Sequence, residues 1–214
     1  MKIANVDSPA NAAFVGRMTS EIAREQGKSD FDALLDIVIE DQLTTLLMPM
    51  ALIDQSEKAW RELVEYVRDD RGIWGGDDGG AHVDMIDAYA HGTRFLENAV
   101  RKYGAISLEE AINIFTKRPA EFIGLRDRGI LKLGAWADIL VLDMDTVGVC
   151  NTELRKDLPA GGRRLYTASK GFDHVIVNGT PIAAGGKYTS ALPGRVFRSG
   201  RDTYTRALAA KAAA

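Results

Sequence analysis

The sequence predicts an α/β region followed by a small β-domain. Three observations carry that reading. Helical and extended patterns alternate over the first 125 residues; glycine, proline and short β-runs take over from about Arg126; and 46% hydrophobic beside 27% charged residues suits a packed interior. A chain of 214 residues builds one or two domains. The expected division is βα units over 1–125, a β-domain over 126–200 and a tail over 201–214.

Phe31, Leu34, Leu35, Val38 and Ile39 recur at i, i+3, i+4, i+7 and i+8, and Ser29 followed by Asp32 opens a capped helix. Leu43 to Met48 reads as a buried strand, because Pro49 stops a helix from running through it. A second helix carries Trp60, Leu63, Val64 and Val67 and ends near Arg71-Gly72. Ile73-Trp74 then begins another short strand. Helix, strand, helix, strand implies parallel βα units. A third helix spans Phe95, Leu96, Ala99, Val100 and Tyr103 and closes at Gly104. Ser107-x-x-Glu110 opens a fourth, lined by Ala111, Ile112 and Phe115, broken or restarted at Pro119 and ended by Gly124.

Beyond Arg126, Ile139 to Leu142 and Val175 to Val177 read as strands, the second joined through Asn178-Gly179 to Pro181-Ile182. Asn-Gly is a two-residue hairpin signal, since both residues tolerate the positive φ of a type I′ turn. The tail from Arg201, rich in Ala, Arg and Lys, could form a frayed helix, with no packing face strong enough to require one.

Charge narrows the function. With 27 Lys+Arg against 30 Asp+Glu, the net charge of -3 offers no basic field for a phosphate backbone, so no nucleic-acid partner is expected. The single cysteine, Cys150, excludes an internal disulfide and a Cys-rich metal site and fits a reducing compartment; the expected location is the cytoplasm. The longest apolar run, Leu46 to Ile53, contains Pro49 and is far shorter than the roughly 20 residues of a membrane span. No signal peptide is visible after Met1-Lys2-Ile3.

The most informative segment is Gly75-Gly76-Asp77-Asp78-Gly79-Gly80-Ala81-His82. Two carboxylates follow an apolar pair, and flanking glycines let a ligand approach the backbone. A solvated glycine-rich turn is the alternative. A phosphate cradle fits poorly, because adjacent carboxylates repel phosphate and no Lys-Ser/Thr follows. His82 could orient Asp78, bind substrate or hold the loop. His91, Asp84 and Asp87 lie close by in sequence and could meet substrate, with a solvated His91 and acids at an exposed helix start as the alternatives; Arg94 is the nearest cation able to pair with a substrate carboxylate, a solvated Arg being the commoner outcome. Cys150 reads as a small buried or loop thiol, and Arg163-Arg164 as structural.

A second segment runs from Arg128 to Asp143, with Gly129 and Gly134 as punctuation, Ala137 tightly packed and Asp138 before an apolar strand. Together the two segments resemble the amidohydrolase superfamily, and Asp157-Leu158-Pro159-Ala160-Gly161-Gly162-Arg163-Arg164-Leu165 with Ala191-Leu192-Pro193-Gly194-Arg195 is similar to its D-aminoacylase branch. The resemblance covers about Asn11 to Arg198 and corresponds to the C-terminal part of a much longer polypeptide.

What the resemblance implies is specific. The fold would be the last units of a metal-dependent-hydrolase (β/α)8 TIM barrel followed by a β-sandwich. Asp78 would be the catalytic aspartate, and also a weak metal ligand, with Asp77 where the family more often has serine. His82, Asp77, Gly79 and Gly80 would contact substrate or support the site. The cofactor would be zinc or another divalent metal, which activates water while the aspartate moves its proton to the leaving amine of an N-acyl-D-amino acid. Such a site needs at least three protein ligands, and His82, His91 and His174 do not complete the family's set. The chain is therefore expected to be inactive alone, to need the missing barrel segment or self-association, and to expose apolar surface at Ile73-Trp74 and Leu43 to Met48. A non-catalytic module that retains these fold elements is the alternative.

Overall fold

The computed structural model describes residues 1–48, 55–76, 82–84 and 86–205. They belong to two compact units, Met1–Gln55 and Ser56–Ala214.

The first unit holds β1 (Lys2–Asn5), α1 (Thr19–Gln26), α2 (Asp30–Glu40) and β2 (Leu46–Met48). Ser29 caps α2 as its hydroxyl accepts from the Asp32 N–H at 3.1 Å. The buried face is not the expected stripe. Ala33 and Ile37 point inward to a core with Ile3 and Ile22, while Phe31 and Ile39 are each 65% exposed. The strand is also shorter than Leu43 to Met48. Gln42 and Leu43 take left-handed φ of 52° and 63°, with the Leu43 N–H bonded to the Val38 carbonyl at 2.8 Å, so this helix-end turn consumes the first residues of the apolar run. Asp41, 2% exposed, ties the far side together: its carboxylate accepts from the N–H groups of Asp7 (2.7 Å) and Ser8 (2.5 Å) and from the Thr45 hydroxyl (2.7 Å).

The second unit begins with α3 (Glu57–Arg68), capped by Ser56, whose hydroxyl accepts from the Ala59 N–H at 3.2 Å. Here the expected stripe is the buried one: Trp60 and Val64 enter the core, with Leu63 and Val67 packed beside them. α4 (His91–Phe95) continues as a π-helical stretch, Leu96–Lys102, before Gly104 at φ 54°. α5 (Leu108–Phe115) is capped by Ser107, and α6 (Lys117–Phe122) carries Pro119 within its first turn, where a missing N–H costs nothing. Pro119 thus restarts the helix. Gly124 follows at φ 70°, and a Cβ there would lie 2.0 Å from the Tyr204 carbonyl oxygen.

Ile73-Trp74 is not a strand. Trp74 satisfies its burial through its ring, packed 5.0 Å from Phe95 and 4.8 Å from Phe115 between centroids. The parallel βα pairing is likewise not observed: every ladder among the described residues is antiparallel, beginning with Lys2 opposite Met48. β3 (Ile139–Leu142), β6 (Phe172–Val177), β7 (Thr180–Ala184) and β8 (Lys187–Tyr188) form one sheet in the order β3-β6-β7-β8. Asn178 and Gly179, at φ 50° and 80°, make the expected two-residue turn between Val177 and Thr180. β4 (Gly148–Arg155) and β5 (Arg164–Lys170) form a separate two-stranded ladder.

The tail expectation fails where it is described. Thr203 bridges Leu125 and the Tyr204 N–H bonds the Gly124 carbonyl at 2.8 Å, so these residues are extended against the end of α6; residues 206–214 lie outside the described residues.

Candidate active site

Asp77, Asp78, Gly79 and Gly80 lie outside the described residues. The residues on either side are described. The chain approaches the loop from Trp74, anchored in the aromatic core, and leaves it at His82, which is exposed and whose carbonyl accepts from the Ile86 N–H at 2.8 Å. The next turns are bolted to the β4/β5 ladder. The Leu165 N–H bonds the Val83 carbonyl at 2.6 Å; the Tyr89 hydroxyl donates to the Leu165 carbonyl at 2.5 Å and accepts from the Thr167 N–H at 3.0 Å; and Thr93 and Ser169 share a hydrogen bond of 2.9 Å.

Asp87 is the centre of this attachment. One carboxylate oxygen accepts from Arg94 Nη2 (2.6 Å), the Thr167 hydroxyl (2.6 Å) and the Thr152 hydroxyl (2.8 Å). Burial pushes the Asp87 carboxyl up, but these bonds and the Arg94 charge more than offset it and hold the group at about 2. Asp87 therefore stays ionised at neutral pH. Arg94, the first Lys or Arg after the loop in sequence, pairs its guanidinium with Asp87, neither solvated by itself nor turned to a substrate carboxylate. Burial also raises the Tyr89 phenol. Sequence reasoning named Asp87 and Arg94 but missed Thr152 and Thr167 as partners of Asp87. Separations of 65 to 80 residues leave no local pattern that could have shown them.

The other candidates disperse. His91 stacks against Trp74, centroids 5.4 Å apart; Asp84 is exposed; His174 is exposed on β6. Arg164 pairs with Asp157 at 2.7 Å, and the Tyr166 ring lies beneath Arg155 at 3.5 Å, which fits the structural reading of that loop. Cys150 is exposed on β4 rather than buried. Arg128, 8% exposed, bonds Asp138 and Asn178 while lying between the rings of Trp136 (4.9 Å) and Phe197 (4.7 Å), so the second motif segment is a structural fastening. Among the described residues no group of three or more His, Cys, Asp or Glu is placed to hold a metal ion. The described donor set therefore does not fit a zinc site. No helix is long and apolar enough to cross a membrane among the described residues.

A helical region tied through an aspartate after a glycine-rich loop to a β-region built on a Gly-x-x-x-x-Gly-x-x-Ala-Asp segment is the frame in which the family comparison falls. The chain matches the amidohydrolase family over residues 11–183 and belongs to that family. It is 41% identical over 106 residues to the N-acyl-D-glutamate deacylase of Alcaligenes xylosoxydans xylosoxydans, a match covering 50% of this chain and 20% of that protein. The chain thus aligns with about a fifth of the curated relative. Among solved structures it is similar to the N-acyl-D-glutamate deacylase of Bordetella bronchiseptica, determined with zinc and a phosphonate inhibitor (TM-score 0.44, 23% identity, 86% of this chain and 35% of that one). It is also similar to a D-aminoacylase (TM-score 0.48, 22% identity, 85% and 34%).

Proposed function

We propose that this chain is the C-terminal part of a metal-dependent hydrolase of linear amides, acting on N-acyl-D-amino acids, with 1–125 contributing to a TIM barrel and 126–200 to a β-sandwich. The 41% identity to an N-acyl-D-glutamate deacylase supports that reading most strongly. In it, Asp78 carries the proton that amide cleavage must deliver to the departing nitrogen, since an amine anion is too poor a leaving group at neutral pH. The glycines beside it leave room for substrate against the backbone. His82, Asp77, Gly79 and Gly80 contact the substrate or hold the loop. Asp87, fixed by Arg94, Thr152 and Thr167, positions the segment leaving the loop. Zinc or another divalent metal is the cofactor of this reading. The described donors do not make a site for it; in this reading Asp78 is a weak ligand, the other ligands belong to polypeptide outside this chain, and the chain alone is inactive.

Zinc content and N-acetyl-D-glutamate hydrolysis, measured on the purified chain with added zinc, test the reading. Adding a polypeptide that carries the remaining part of the relative should restore turnover, and Asp78→Ala should abolish it. Stoichiometric zinc with Asp78-dependent turnover by the chain alone would refute its incompleteness. A zinc-loaded mixture without turnover would refute the deacylase reading and leave a non-catalytic module.

A further inference from the structure

We propose that Tyr89 is a positioning residue for the amide hydrolysis proposed above: its hydroxyl fixes the chain that leaves the glycine-rich loop, and through it the proton delivery assigned to Asp78. The inference rests on that reading of the reaction. Its ground is the edge of β5. In an antiparallel strand each residue turns both backbone groups to one side, and the side alternates along the strand. On the side opposite β4, Leu165 and Thr167 turn theirs toward Val83 and Tyr89: the Leu165 N–H bonds the Val83 carbonyl at 2.6 Å, while the Leu165 carbonyl and the Thr167 N–H meet the Tyr89 hydroxyl at 2.5 and 3.0 Å. One carbonyl and one phenol stand where a third strand would run. Tyr89 spends its hydroxyl as donor and as acceptor at once, so a phenylalanine would keep the ring and lose both bonds.

Position along the chain separates Tyr89 from the other attachments. On its loop side the Ile86 N–H bonds the His82 carbonyl at 2.8 Å, and Asp87 accepts from Arg94 and the two threonines. On its helix side Thr93 shares a hydrogen bond of 2.9 Å with Ser169, Glu97 accepts from the Val149 N–H at 3.1 Å, and Arg101 donates to the Asp145 carbonyl at 2.8 Å. These three residues, each four on from the last, hold α4 and the π-helical stretch to the β-region without Tyr89. Loss of the phenol hydroxyl therefore frees the loop side and spares the helix side. Proton delivery is the step most exposed to that freedom, because the acid must lie within hydrogen-bond reach of the departing nitrogen and a displacement of about 1 Å costs on the order of 100-fold.

Two measurements on Tyr89→Phe test the inference. The first is amide hydrogen exchange on the chain alone. The Leu165 and Ile86 N–H groups are bonded to Val83 and His82 rather than to Tyr89, so they report on the segment itself; they should exchange about five- to tenfold faster, while the Val149 N–H held by Glu97 should not change. The second uses the chain combined with the remaining polypeptide and compares kcat for N-acetyl-D-glutamate with kcat for the corresponding ester, O-acetyl-D-2-hydroxyglutarate. An alkoxide departs with far less help from a proton than an amine anion does, so misplaced proton delivery should lower amide turnover about tenfold or more and ester turnover about twofold or less. Thr93→Val, on the helix side, should alter neither the exchange at Leu165 and Ile86 nor the ratio of the two substrates. A general weakening of the fold slows both substrates alike, so an equal fall overturns the inference, as does unchanged turnover of both or unchanged exchange at Leu165 and Ile86. Any of these results beside wild-type turnover leaves the deacylase reading standing. A wild-type mixture without turnover of either substrate refutes that reading and this inference with it.

Discussion

α2 and α3 begin alike and end differently. Each opens on a serine that caps the backbone N–H three residues on, and each carries an apolar stripe. α3 buries its stripe, with Trp60 8% and Val64 1% exposed, whereas α2 buries Ala33 and Ile37 and leaves Phe31 and Ile39 in solvent. A stripe reveals that a helix is two-faced; which face is covered depends on what the rest of the unit supplies. In the first unit the supply is small: Ile3, Ile22 and Ile37 with Val6, Phe14 and Leu47 around them.

The sharpest way to break this comparison is at the centre of the second unit. Phe95 is fully buried against Trp60, Trp74 and Phe115, and Phe95→Ala should lower the unfolding free energy by about 3–5 kcal/mol in urea titration. A loss below about 1 kcal/mol would show that this aromatic cluster is not the core.

Next comes the Asp87 attachment. Asp87→Ala should cost about 2 kcal/mol at pH 7, since Arg94 and two threonine hydroxyls lose a charged acceptor. The pH dependence has a definite sign. The folded group sits at about 2, below the ordinary carboxylate value, so its contribution is complete above about pH 4 and disappears as pH falls through about 2. In thermal unfolding the wild type should lose stability across that window more steeply than Asp87→Asn. Parallel curves would remove Asp87 from the account.

The caps provide a milder comparison. Ser56→Ala and Ser29→Ala should each cost about 1 kcal/mol, because capping is local and indifferent to which face is buried. Smallest of all, Phe31→Ala or Ile39→Ala should change stability by less than about 0.5 kcal/mol, despite their place in the stripe. A cost of several kcal/mol for Phe31→Ala would mean that α2 has its inner and outer faces exchanged.

Local signals were legible and long-range ones were not. The Ser29 and Ser107 caps, the glycine at 124, the proline that restarts the helix as α6 and the Asn178-Gly179 hairpin were all readable, because each acts over a few residues. β4 escaped notice. Its sequence GVCNTELR alternates poorly, and its register with β5 is interrupted between Val149 and Thr152. Ile73-Trp74 misled in the opposite sense, as a short apolar pair serves a strand or a core plug equally well. The candidate site divides in the same way: the resemblance to the amidohydrolases was legible in short segments and the family match spans residues 11–183, while the partners of Asp87 came from two strands far along the chain.

By itself the sequence determined where α2 and α5 start, where α6 ends, which turn joins β6 to β7, and that the chain belongs with the amidohydrolases, because capping, backbone conformation and motif identity are properties of neighbouring residues. Tertiary structure alone decided that α2 faces outward with Phe31 and Ile39, that Arg94 serves Asp87, and that β3 is an outer strand of its sheet. Those outcomes depend on which surfaces and charges meet across dozens of residues, and burial and pairing energies are set there rather than along the chain.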